Sequence, residues 1–243
     1  MESKGIRIAS IVANQLTSEY KKLPPQDAGK LLDHIVLWSF AQHNNKSLSE
    51  IFKVGMAEAS TILEKYTLDT SNIKMCDEKT KLAHFITEYQ CGLFLPDIYA
   101  RVDVFIKGLA KDKESYFLIL CGCKSTSKQY LPEEKIEENN YVTDINNIYR
   151  RNRKPTKQHC LVREALTQMN KKISLIIRLH VELPQSENQP ELCTIKDKQF
   201  KCGINLYQYQ EVTINVNSSR LETIGLFDDL TAQQLKAFFN ADA

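Results

Sequence analysis

The sequence predicts an α/β fold of the α+β kind, a mixed β-sheet flanked by helices. Three observations carry that expectation. Apolar residues recur at helical spacing through the first third of the chain. Two apolar runs, residues 100–106 and 116–125, flank a short polar stretch as the strands of a hairpin do. Residues 172–183 carry Ile173, Leu175, Ile177, Leu179 and Val181 in alternation, the period of a strand.

Taken in order, residues 6–20 read as a first helix, ended by Pro24 and Pro25. Residues 27–43 read as a second, with Leu31, Leu32, Ile35, Val36, Trp38 and Phe40 as its apolar face. Ser49 is placed to cap a third through residue 65, and residues 77–91 form a fourth that stops at Gly92. The hairpin follows, with its turn inside residues 108–115. Residues 131–147 are polar and charged. Residues 150–157 form a basic loop, and residues 161–170 read as a short helix. The strand at 172–183 precedes a polar loop at 184–190. Residues 200–217 read as one or two strands broken at Gly203, and a last helix ends near Phe239.

At 243 residues and 42% hydrophobic content, the chain suits one domain of moderate size. Residues 1–95 make its mainly helical part, 96–183 the core that carries chemistry, and 184–243 the closing strands and helix. A net charge of +2 means that any nucleic-acid binding requires a local basic patch. Only 8 glycines and no Gly-rich loop argue against common nucleotide-binding enzymes. The first residues lack a secretory pattern, and the longest apolar run is strand-sized. The expectation is a cytoplasmic protein, not a membrane one, with its seven cysteines reduced.

Each hairpin strand holds a charge that a buried strand would not choose: Asp103 in the first, Lys124 at the end of the second. Buried charges are costly unless paired or bound to metal. If Gly108 and Ser115 flank the turn, Asp103 stands opposite Leu120 and shares a face with positions 120, 122 and 124. Asp97, after Pro96, fits that pairing less well. An acid on one strand and an acid-x-lysine on the next suits phosphodiester hydrolysis. Two carboxylates hold Mg²⁺ through oxygen, the ion activates a water, and the lysine stabilises charge at the phosphate.

Asp103 followed by Gly122-Cys123-Lys124-Ser125-Thr126-Ser127-Lys128 resembles the core of the PD-(D/E)xK superfamily, whose members of this size are Type II restriction endonucleases. The resemblance covers residues 96–128. It implies a sequence-specific, Mg²⁺-dependent endonuclease acting on double-stranded DNA, with Asp103 as metal ligand and Lys124 as catalytic lysine. It also implies a homodimer matched to a palindromic site and DNA contacts near Ser125 and Lys128. One position departs from the pattern: Gly122 stands where the family has Asp or Glu. Three explanations stay open. A replaced carboxylate would leave a chain that binds DNA without cutting it. The second acid is alternatively drawn from a neighbouring helix, with Glu58, Glu64 and Glu88 as candidates. The chain is otherwise a natural inactive relative. The expectation is poor cleavage with DNA binding retained.

Arg150, Arg151, Arg153, Lys154 and Lys157 supply the basic patch that phosphates require. Taken alone, such a loop is more often a solvated surface, and Asp103 and Lys124 taken alone are exposed strand ends. Cys121 and Cys123 form a single Cys-x-Cys pair, which reads as core thiols before it reads as zinc ligands. His159 beside Cys160 is a weak sign of a nucleophilic pair. The competing functional classes are a non-enzymatic α+β interaction module and a structure-specific DNA-repair nuclease of the same superfamily.

Overall fold

Leu32, Ile35, Val36, Leu37 and Phe40 recur on one side of helix α1 (Pro25–Ala41), and that side is fully buried. The computed structural model describes residues 25–125, 141–151, 154–183, 191–202 and 205–240. The helix expected at 6–20 lies outside them. Two short helices follow, α2 (Leu48–Ile51) and α3 (Ala57–Leu63). The sequence pattern predicts one helix here. Gly55, at φ +70°, turns the chain out of helical geometry and splits it. The cap is Ser47: its hydroxyl accepts from the Glu50 amide at 3.4 Å, and Glu50 accepts from the Ser47 amide at 2.8 Å.

Strands β1 (Ile73–Met75) and β2 (Gly92–Leu95) flank helix α4 (Leu82–Glu88). Neither strand was expected inside the helical part, because three or four apolar residues carry no periodicity. Gly92 lets them pair: at φ +146°, a Cβ there would stand 2.3 Å from the Asn72 carbonyl oxygen. The predicted hairpin forms from β3 (Val104–Leu109) and β4 (Ser115–Ser125). A small two-stranded ribbon, β5 (Arg150–Arg151) with β6 (Lys154–Pro155), leads into α5 (Lys157–Thr167). Then come β7 (Lys172–Leu183), β8 (Cys193–Cys202), β9 (Asn205–Val216) and α6 (Asp229–Asn240).

Among the described residues the main sheet has seven strands in the order β1-β2-β3-β4-β7-β9-β8. It is mixed: β3 runs antiparallel to both β2 and β4, whereas β4, β7 and β9 run parallel. All three predicted stretches of chain contribute strands to it. Side-chain alternation sorts the core into two layers. Val104, Ile106, Phe117, Ile119 and Cys121 pack on the α1 side. Phe105, Leu118 and Leu120 pack on the other side, with Phe85 of α4 and Val162 and Leu166 of α5. The mixed α/β class expected from the sequence is therefore the class observed. No helix among the described residues is long and apolar enough to cross a membrane.

Candidate functional site

The hairpin register differs from the expected one by two residues. Leu120 stands opposite Phe105, and Val104 opposite Cys121. Asp103 precedes the first ladder residue of β3, where the strand parts from β4. Its amide still donates to the Cys121 carbonyl at 2.8 Å. Its carboxylate then lies along β4 and accepts from the Cys123 amide at 2.6 Å. A side chain has taken the place of the departing strand as partner of that ladder N–H.

This geometry corrects the face assignment. Asp103 does not meet a side chain at position 122. Its carboxylate gathers with the Cys123 thiol and with the carboxylate of Asp33, a residue of α1; ligand atoms of the three lie within 4.8 Å of one another. A Cβ built at Gly122 points elsewhere, meeting Thr143 Cγ2 at 3.2 Å and Val142 Cγ1 at 3.4 Å. Strict alternation fails here because Asp103 lies outside the strand. The acid of a neighbouring helix is Asp33, whereas Glu58, Glu64 and Glu88 are exposed on their own helices.

Sequence reasoning overlooked Asp33, although a signal existed. It is the one charge in the apolar run 31–38, apart from a histidine beside it, and it falls one turn before Leu37 on the side that α1 presents to β4. The electrostatics fit two acids held close. Burial, then the nearby Asp103 charge, raise the Asp33 carboxyl well above its ordinary range; a hydrogen bond from Cys123 opposes them. Burial also raises Asp103, against the Cys123 amide and the Lys124 charge, which both lower it. Lys124 thus sits close enough for its charge to act on Asp103. The Asp33 Oδ1 atom is sealed from solvent and accepts no hydrogen bond from the described residues. Acids displaced in this way mark a site that binds a positive charge or a proton.

One basic segment is tied to the connection that precedes Asp103. Arg101 donates from Nε to the Arg150 carbonyl at 3.1 Å, tying the β2–β3 connection to the β5–β6 ribbon. The same connection holds Ile98 and Tyr99, which are 76% and 75% exposed. Arg151, Lys154 and Lys157 are exposed and Arg150 is partly buried; Arg153 and Lys128 lie outside the described residues, as does the side chain of Ser125. Asp97 shapes the loop, accepting from the Tyr99 amide at 3.0 Å.

Behind Gly122, on the side away from Asp33, lies a buried polar chain. Arg178 donates to Thr143 Oγ1 at 3.0 Å, Thr143 meets His180 Nε2 at 2.8 Å, and His180 Nδ1 meets Asn215 Oδ1 at 2.9 Å. Arg178 also pairs with Glu211 at 3.3 Å. His159 is not part of a nucleophilic pair: its Nδ1 lies 2.7 Å from the Ile148 carbonyl, and Cys160 is exposed.

No family profile, curated protein or solved structure gives a significant match to this chain.

Proposed function

We propose that the chain is a metal-dependent endonuclease of the PD-(D/E)xK type acting on double-stranded DNA, with Asp33 supplying the carboxylate that position 122 lacks. The observation that carries this reading is the meeting of Asp33 and Asp103 where β3 parts from β4, beside the charge of Lys124. A mixed sheet flanked by helices suits it, as does the basic ribbon tied to the connection before Asp103.

The donor set fits a divalent cation. Two carboxylates are held together against their mutual repulsion, and one oxygen is sealed from solvent with no hydrogen-bond partner among the described residues. A bound ion would supply charge neutralisation at the phosphate and an acidified water; Mg²⁺ is the ion the resemblance implies. The protein's part is positioning. The Cys123 amide fixes the Asp103 carboxylate, α1 fixes Asp33, and Lys124 places a positive charge beside them. The DNA backbone meets Arg151, Lys154 and Lys157.

The test is cleavage of plasmid and genomic DNA with Mg²⁺ or Mn²⁺. Cutting should occur in the parent and stop with EDTA. Asp33→Ala, Asp103→Ala and Lys124→Ala should each reduce it by roughly a hundredfold or more. Gly122→Glu should not increase it, because that side chain starts toward Thr143. A parent that cuts no DNA with any divalent ion, or cutting indifferent to Asp33 and Asp103, would overturn the reading. Discrete fragments would indicate sequence recognition, and cleavage only at ends or junctions the structure-specific alternative.

A further inference from the structure

Cys123 is an unusual neighbour for two carboxylates. It occupies the middle position of the stretch Gly122-Cys123-Lys124, on the side of β4 that faces α1. A cysteine on a core strand ordinarily packs against apolar groups. This thiol, at the edge of the core, also lies within 4.8 Å of ligand atoms of Asp33 and of Asp103, whose carboxylate is held by the Cys123 amide. One further sulfur stands behind it: Cys121 Sγ is 3.6 Å from Cys123 Sγ and belongs to the core.

We propose that Cys123 is a third ligand of the cation held by Asp33 and Asp103, so that the site selects a thiophilic divalent ion of the Zn²⁺ or Co²⁺ class over Mg²⁺. The inference rests on the cation-binding part of the function proposed above and not on DNA hydrolysis. Softness decides the selectivity. Magnesium takes oxygen ligands and keeps its waters, whereas zinc and cobalt bind thiolate strongly. The spacing allows it: bond lengths of about 2.0–2.3 Å place the ligand atoms of one tetrahedral ion roughly 3.4–3.8 Å apart. The three donor atoms here lie within 4.8 Å of one another, so the widest pair closes by at most about 1.5 Å. The Oδ1 of Asp33 is a second indication: it is sealed from solvent and accepts no hydrogen bond from the described residues. On binding, the sulfur–metal bond forms as the thiol proton leaves to solvent, and any proton held by the Asp33 or Asp103 carboxyl leaves with it, so binding releases one or more protons per ion.

The experiment is a Co²⁺ titration of the full, metal-stripped chain, followed by near-ultraviolet and visible absorption. The parent should develop a thiolate-to-cobalt charge-transfer band that saturates at one ion per chain. Cys123→Ser should lose the band and weaken Zn²⁺ binding by roughly tenfold or more. Cys123→Asp, which replaces sulfur with a further oxygen ligand, should still bind Co²⁺ but without the band. Cys121→Ser should keep it. Failure to bind Co²⁺, binding without the band, or a band that survives in Cys123→Ser would overturn the proposal. The two readings fail separately. A Cys123-dependent band in a chain that cuts no DNA removes the nuclease and leaves the site. Mg²⁺-driven cutting that needs Asp33, with no charge-transfer band, does the reverse.

Discussion

Asp33 and Asp103 owe their displaced protonation to packing. Each lies where water is scarce, and each lies near the other. Both carboxyls are raised in the folded protein, so the folded state holds more protons than the unfolded chain once pH passes the ordinary carboxylate range. Without a cation, the stability these groups contribute is therefore complete below about pH 4 and is lost as pH rises toward about 8, the value for Asp33. Asp33→Asn removes most of that loss. In EDTA at pH 8 the variant should be more stable than the parent by about 1–2 kcal/mol, or roughly 2–8 °C in Tm. The advantage should vanish near pH 4. Thermal melts across that range check it, and a variant less stable than the parent at pH 8 would refute it. Gly122 has a different meaning. Its hydrogen admits Thr143 and Val142 to the sheet surface, so it serves packing behind the site.

Strand β7 owes its place to its apolar residues, yet it carries Arg178 and His180 on one face. Both are buried, as are Thr143 and Glu211. Their hydrogen bonds join β7 and β9 to the 141–147 segment and so hold that segment against Gly122. Removing one member of a buried ion pair strands the other. Glu211→Ala should cost about 3–5 kcal/mol of stability, read from urea unfolding. Replacing Arg178 and Glu211 together by apolar residues should cost much less. An equal loss in the double variant would show that the pair does not act as a unit. The alternation of β7 was plain in the sequence, and so were the hairpin and the last helix. Strands β1 and β2 were not, because each is held by its neighbours and not by its own pattern.

The Asp33–Asp103–Cys123 cluster occupies one end of the sheet, where β3 begins and β4 ends, with α1 over it. The β5–β6 ribbon and the β2–β3 connection are joined through Arg101, so a short basic segment is tied to the connection before Asp103 although the chain as a whole is close to neutral. A surface of this kind binds phosphates by releasing counterions. Replacing Arg151, Lys154 and Lys157 with alanine should weaken DNA binding across sequences. The slope of log affinity against log salt should become shallower by about 0.9 for each phosphate that is no longer neutralised, while the melting temperature stays unchanged. Binding titrations at several salt concentrations measure this, and an unaltered slope would remove the ribbon from the DNA surface.

Composition and periodicity determined the α/β class, the hairpin, the long strand at 172–183 and the interest of Asp103 and Lys124. Those features depend on residues near one another in sequence, and a local pattern reports them. The companion of Asp103 was decided only by tertiary packing. Asp33 lies 70 residues earlier on a helix whose apolar face sets it against β4, and the parting of β3 from β4 turns Asp103 toward it. Alternation could not foresee that turn, since it describes side chains within a ladder and Asp103 stands just outside one. Position 122 is a glycine, as the sequence says; the acid that meets Asp103 comes from another layer of the fold.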